Sequence, residues 1–215
     1  MGAAVSERVF DLDCRDCQRL SDFLDDVQGR YPTYYCRPVP PFGDGAARLL
    51  IVGLAPGMHG ANASGRPFTG DHAGILLYET LHKYGFASAP VSESAEDALQ
   101  LIDCRITNAV KCLPPDNKPV GAEINTCNRF LAAELENLAP GSVVLALGGI
   151  AHRAVIKAIG GRQADYKFGH AALHAPGPFH LLDSYHCSRY NTNTRRLTPE
   201  MFDAVFATAR RLLDK

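Results

Sequence analysis

Residues 51–71 read IVGLAPGMHGANASGRPFTGD. Together with Leu49 and Leu50 before it, the apolar run Leu49–Val52 reads as a buried strand. The strand leads directly into a loop carrying Gly53, Gly57, Gly60, Gly65 and Gly70. Glycines adopt backbone angles closed to other residues and let another chain segment approach closely. From Gly74 an apolar pattern of helical period runs through Ile75, Leu76, Leu77 and Leu81. Strand, long glycine-rich loop and helix together make the mouth of an α/β site. The plainer alternative is a surface loop built of turn residues, although long ordered loops in compact domains are more often functional.

The same unit recurs outward from this stretch. Leu101–Val110 is a second strand candidate feeding the proline-rich loop KCLPPDNKP, and a helix is expected over Glu123–Leu138. Ser142–Leu147 is a third strand, turned by Gly148-Gly149 into a helix over Ile150–Ile159. Residues 160–178 form a Gly/His/Pro-rich loop, and Phe179–Tyr185 is a fourth strand. His186–Thr198 is its loop, and Pro199 fits the first turn of a closing helix that ends near Leu213. Residues 6–28 read as a helix with an apolar face from Val9 to Val27 and with Cys14 and Cys17 inside it, and residues 87–98 read as a loop or a short polar helix. Four alternations predict an α/β fold, a three-layer αβα sandwich around a central four-stranded parallel sheet. Loops after the strand C-termini gather on one edge of such a sheet, where ligands bind. That places the Gly53 loop, Asn108, Gly148-Gly149 and His186 together.

The bulk numbers set outer limits. The 215 residues suit one domain, with 46% apolar and 21% charged residues and a net charge of −1. No global basic field advertises nucleic acid, but a local patch suffices to bind it. No apolar run approaches the roughly 20 residues of a membrane span. MGAAVSERVF lacks the basic-then-apolar pattern of a secretory signal.

Seven cysteines are many for a cytosolic chain, and an odd number argues against a simple disulfide framework. Cys14-x-x-Cys17 is one pair, while Cys112 and Cys127 bracket the proline loop and the first turn of the next helix. Four thiolates drawn from two segments can hold zinc or an iron–sulfur cluster, and spacing alone does not choose between them. The alternative is buried thiols packing as small hydrophobes.

Four stretches, GLAPGMHGANASGRPFTGD, ITNAVKCLPPDNKP, VVLALGGIAHRA and HCSRYNTNTRRLT, resemble the uracil-DNA glycosylase superfamily from Cys14 to about Thr198. The pattern is most similar to its type 5 branch, a bacterial and archaeal group with a four-iron, four-sulfur cluster. Type 4 relatives carry a Glu after the first motif glycine, and type 1 enzymes an Asp one place further on. Here those positions hold Leu54 and Ala55, so the water-activating carboxylate of the first motif is absent, as in type 5. The resemblance implies cluster ligands Cys14, Cys17, Cys112 and Cys127, with the cluster holding a loop near DNA. It implies base excision repair: hydrolysis of the N-glycosidic bond of a flipped base in double-stranded DNA, leaving an abasic site. A cytoplasmic prokaryotic monomer with no membrane contact is expected.

Roles follow for individual residues. Phe68 is the aromatic placed to stack on the flipped base, or else a core residue beneath the loop. Asn108 offers donor and acceptor to a uracil edge, or ties down the loop backbone. His186 would donate to the oxyanion developing on the departing base. Gly53, Leu54, Ala55 and His59 would border the base pocket, and Ser188 and Asn191 would hold DNA phosphates, with Arg189, Arg195 and Arg196 adding positive charge. Asp71 either orients water and steadies the sugar cation or caps the helix that follows it. Gly57 stands where strict uracil enzymes have a Tyr, which implies room for hypoxanthine, xanthine, ethenocytosine or thymine opposite guanine.

Two positions depart from the family pattern. The last motif usually reads His-Pro-Ser and here reads His186-Cys187-Ser188, and a usual Gly is Arg195. They leave open a second expectation, a catalytically weak binder of abasic or damaged DNA. A third, an unrelated α/β hydrolase or nucleotide-binding protein with a zinc site, lacks both a Gly-x-Ser-x-Gly elbow and a phosphate-loop lysine.

Overall fold

A computed structural model describes residues 10–215. The predicted four parallel strands form its centre: β2 (Leu49–Gly53), β3 (Cys104–Asn108), β4 (Val143–Leu147) and β6 (His180–Ser184). Two two-residue edge strands, β1 (Phe42–Gly43) and β5 (Leu173–His174), pair antiparallel at either side. The sheet is therefore six-stranded and mixed, in the order β1-β3-β2-β4-β6-β5. Strands this short carry no period-2 pattern, so nothing in the sequence announced them.

Alternate residues of β2 feed two cores. Leu49 and Ile51 pack with Leu77 and Leu81 of α3 (His72–Lys83) and with Phe202 and Phe206 of α7 (Pro199–Leu213). Leu50 and Val52 pack with Leu131 and Leu135 of α4 (Gly121–Glu136) and with Val155 and Ile156 of α5 (Gly149–Ala158). Burial on both faces explains why these strands read as continuous apolar runs. Pro199 occupies the first turn of α7, and Thr198 Oγ1 accepts the Met201 N–H at 3.2 Å.

The first helix departs from expectation. α1 spans Gln18–Arg30, so Cys14 and Cys17 precede it, with Cys17 at its N-cap. Asp11 Oδ1 accepts the Asp13 N–H at 2.9 Å, and such a local bond competes with helix formation. Residues 6–9 of the expected helix lie outside the described residues. Residues 87–98 form no helix. They are pinned by Arg66, whose buried guanidinium reaches Asp97 Oδ1 at 2.5 Å, Ser92 Oγ at 3.1 Å and the Ala95 carbonyl at 2.7 Å. Two short helices missing from the sequence reading complete the list, α2 (Ala61–Ser64) inside the glycine loop and α6 (Arg189–Asn193) after β6. No helix among the described residues is long and apolar enough to cross a membrane.

Candidate active site

The C-terminal ends of the four parallel strands open into a cleft of about 500 Å³. Leu54, Ala55, Gly57, Phe68, Asp71, Asn108, His186 and Ser188 all line it, as the sequence reading expected. Gly53 pairs with Asn108 across the sheet and lies beneath the cleft. A Cβ on Gly53 would collide with Asn108 Oδ1 and stand 2.8 Å from the Phe68 ring. Gly53 thus lets the amide and the ring share one spot. Phe68 holds φ at +55° and its carbonyl lies against Gly74, where any side chain would clash. Such a backbone is costly for an aromatic residue and persists only when its surroundings enforce it.

Asn108 is buried and its amide makes no hydrogen bond to the loop among the described residues. The alternative of a loop-fastening amide therefore has no bond to support it. The His186 and Phe68 rings stack, with centroids 5.9 Å apart and planes 28° off parallel. His186 Nδ1 is buried without a partner. Burial lowers its pKa to about 4, so the imidazole is neutral at physiological pH.

Asp71 caps the helix that follows it and also lines the cleft. Its Oδ1 accepts the Gly74 N–H at 2.9 Å, capping α3. Its Oδ2 lies over Gly57 and Gly60 at the cleft wall, 3.5 Å from the site of a Gly57 Cβ. Burial raises its pKa, opposed by the backbone N–H groups of Gly74 and Ala73 and by His72. Asp71→Asn keeps an equally good cap. We expect its melting temperature to stay within about 2 °C of wild type, while its excision rate falls at least tenfold if Oδ2 acts on the reacting sugar. Calorimetry and single-turnover kinetics on the same preparation check both halves.

Two predicted residues are placed otherwise. His59 is exposed, bonds Tyr34 Oη through Nδ1 at 2.8 Å, and does not line the cleft. Its imidazole is occupied by Tyr34 and lies edge-on to the Tyr31 ring. Asn191 spends its amide inside its own loop, donating to the His186 carbonyl at 2.8 Å. Ser188 caps α6 and lines the cleft as well. Arg195 adopts φ +56°, the left-handed backbone that a glycine takes without cost.

The comparisons with known proteins fit this geometry. Residues 40–210 match the model of the uracil DNA glycosylase superfamily. A type-5 uracil-DNA glycosylase of Thermus thermophilus is 47% identical over 205 residues, covering 93% of each chain. The chain belongs to the type 5 branch of the uracil-DNA glycosylase superfamily. A type-5 enzyme of Pyrobaculum aerophilum is 42% identical over 202 residues, covering 92% of this chain and 88% of its own. The crystal structure of Pedobacter heparinus SMUG2 shares the fold at 15% identity, with a TM-score of 0.51, covering 90% of this chain and 85% of that one.

Against that family background, the structure adds cleft residues that the sequence reading missed. Among these are His72, Ala73 and Asn117, and they join Gly148, Gly149 and Arg189, which the sequence had already pointed to, in the lining. Asn117 follows Asp116 in the proline loop, and both residues hold left-handed angles, φ +56° and +54°. Consecutive non-glycine residues in that region are rare. The run Asp-Asn after two prolines was the available signal, since Asn and Asp tolerate such angles best. His72 joins α3 to α6 through Thr192 Oγ1 at 3.1 Å.

Two further clusters lie outside the cleft. Cys14, Cys17, Cys112 and Cys127 converge on one small cavity between α1, the proline loop and α4. Burial raises the pKa of Cys112 to about 12, and the other three thiols add to the rise. His152, His174 and Asp183 offer donor atoms within 4.8 Å of one another. There His152 Nδ1 meets Asp183 Oδ1 at 2.8 Å and Nε2 meets the Tyr166 carbonyl at 2.9 Å. Two acceptors on one ring call for an imidazolium, so this cluster is a buried ion pair and not a set of free ligands.

Proposed function

We propose that this protein excises uracil and a wider set of deaminated or damaged bases from double-stranded DNA, as a monofunctional, cluster-bearing glycosylase. The observation that carries the reading is the neutral His186 imidazole beside the uncommitted Asn108 amide in one cleft. A base turned out of the duplex would stack on Phe68 and offer its edge to Asn108. Bond breaking leaves negative charge on the base and positive charge on the sugar. A neutral imidazole can donate to the first, and Asp71 Oδ2 can stabilise the second. Membership of a family named for uracil excision supports the reaction.

The base range rests on Gly57. A Cβ there would meet only Asp71 Oδ2 within 4 Å, at 3.5 Å. Strand cleavage after alkali on duplexes carrying uracil, hypoxanthine, xanthine or ethenocytosine tests the proposal. We expect wild type to process several of them and Gly57→Tyr to retain uracil while losing at least tenfold on the larger bases. Cleavage by wild type confined to uracil would sink the broad range. Binding without any cleavage would sink the enzyme and leave a damage-binding protein.

Four thiolates with no harder donor among them suit an iron–sulfur cluster. The set fits: Cys14, Cys17, Cys112 and Cys127 border one cavity, and the buried Lys111 and the Arg129 side chain bring positive charge beside it. Such a cluster would fasten α1 to the proline loop that carries Asn117 into the cleft. Cys112→Ala is expected to lose the brown colour and bound iron of anaerobically purified protein and to weaken duplex binding. A colourless wild type holding one zinc would overturn the assignment.

A further inference from the structure

We infer that His170, a residue of the loop between α5 and β5, is a positioning residue for His186. The inference rests on the reading of His186 as the donor to the departing base.

The β6 ladder ends with Ser184 opposite Leu147. The next residue, Tyr185, has no strand to receive its N–H. His170 Nδ1 accepts that N–H at 3.2 Å. The His170 ring stacks on the Tyr185 ring, with centroids 5.0 Å apart and planes 25° off parallel. The Arg196 guanidinium lies over the Tyr185 ring as well, 4.7 Å from its centroid. The residue before His186 is thus fixed at its backbone by one side chain and at its ring by two. After it, the His186 carbonyl receives the Asn191 amide at 2.8 Å. Gly148, beside the His186 Cβ at 3.5 Å for an added side chain, donates its N–H to Ser184 at 2.8 Å.

These bonds bear on a departure in the sequence. Where the resemblance leads one to expect a proline after His186, this chain has Cys187. Proline would stiffen the turn through its fixed φ. Without it, the turn is held by side-chain bonds: from His170 of a separate loop on the near side and from Asn191 of its own loop on the far side. A nitrogen that accepts an N–H must be unprotonated. Burial lowers the pKa of His170, against a smaller pull from the Met201 backbone, which keeps that acceptor available. The loop carrying His170 is itself tied to β6, through Ala171 N–H to Asp183 O and Asp183 N–H to Ala172 O, both at 2.9 Å.

The test separates the hydrogen bond from the ring. His170→Phe keeps an aromatic ring against Tyr185 and removes the acceptor, whereas His170→Asn keeps an acceptor near the Nδ1 position. Steady-state and single-turnover kinetics on a uracil duplex are measured for both, with His186→Ala as reference. We expect His170→Phe to lower kcat about tenfold or more with KM within about twofold of wild type, the pattern of a lost transition-state interaction. His170→Asn should recover most of it. In wild type, the Tyr185 amide should exchange slowly with solvent although it lies past the sheet. Wild-type kcat in His170→Phe, a loss borne by KM alone, or a fast-exchanging Tyr185 amide would overturn the inference. If His186→Ala itself keeps full kcat, the reading of His186 has failed, a result distinct from the others.

Discussion

Replacing His186 with alanine lowers the single-turnover rate on a uracil duplex by about 10²–10³-fold, with little change in duplex affinity. That is the range seen when one donor to a developing oxyanion is removed, about 3–4 kcal/mol of transition-state stabilisation. The size follows from the site. The imidazole is neutral and stacks against Phe68 in the cleft. A donor in such a place gives up no competing bond when the charge develops. The pH dependence follows too. With a pKa of about 4, the neutral form is present above that value and is lost as pH falls through it. The rate is therefore flat from about pH 6 to 8 as far as this residue is concerned, with an acid limb near 4 that His186→Ala lacks. An acid limb unchanged in the variant would assign it to another group, with Asp71 next in line.

Asp183→Asn destabilises the fold by about 3–5 kcal/mol, the usual cost of leaving one member of a buried ion pair without its partner. Asp183 and His152 are both buried. Asp183 also takes His174 Nε2 at 3.3 Å, so one carboxylate binds two rings. Burial pulls the His152 pKa down, but the Asp183 hydrogen bond and charge pull it further up, with a net rise. A group whose folded pKa is raised stabilises fully below its unfolded pKa, about 6.5 for histidine. That contribution is lost as pH rises through the folded value. The stability gap between wild type and Asp183→Asn, read from urea midpoints, should be largest near pH 6 and shrink at alkaline pH. A gap that does not change with pH would mean that His152 is neutral in the native protein. Because Asp183 lies near the end of the strand that leads into Tyr185 and His186, the variant should also lose activity.

Much of this molecule could be read from local pattern. The apolar runs 49–52 and 142–147 located two central strands, since strands buried on both faces must be apolar throughout. Pro199 and Gly148-Gly149 marked turns and helix starts because their backbone demands are intrinsic. Asn108 and His186 could be placed together because strand ends in an α/β sheet converge on one edge, whereas Phe68 and Asp71 were singled out by the resemblance of the first motif to the family. The reading departed from the structure where a particular hydrogen-bond partner decides, near or far in sequence. Asp11, turning back on Asp13, kept the Cys14–Cys17 segment out of α1. His59 bonds Tyr34 and Asn191 bonds the His186 carbonyl, pairings that no local pattern announced. The edge strands exist only because β3 and β6 offer them a ladder.

The sequence by itself determined the alternation of strand and helix, the α/β layering, and which residue types stand at the strand ends, because burial and backbone preference act over a few residues. Only the tertiary structure decided which polar side chains are committed to neighbours and which are left for a ligand. That division depends on which groups lie within about 3 Å of each other, and hydrogen bonds of that length join residues far apart in the chain. His170 and Tyr185, 15 residues apart, and His152 and Asp183, 31 apart, meet only once the sheet has formed.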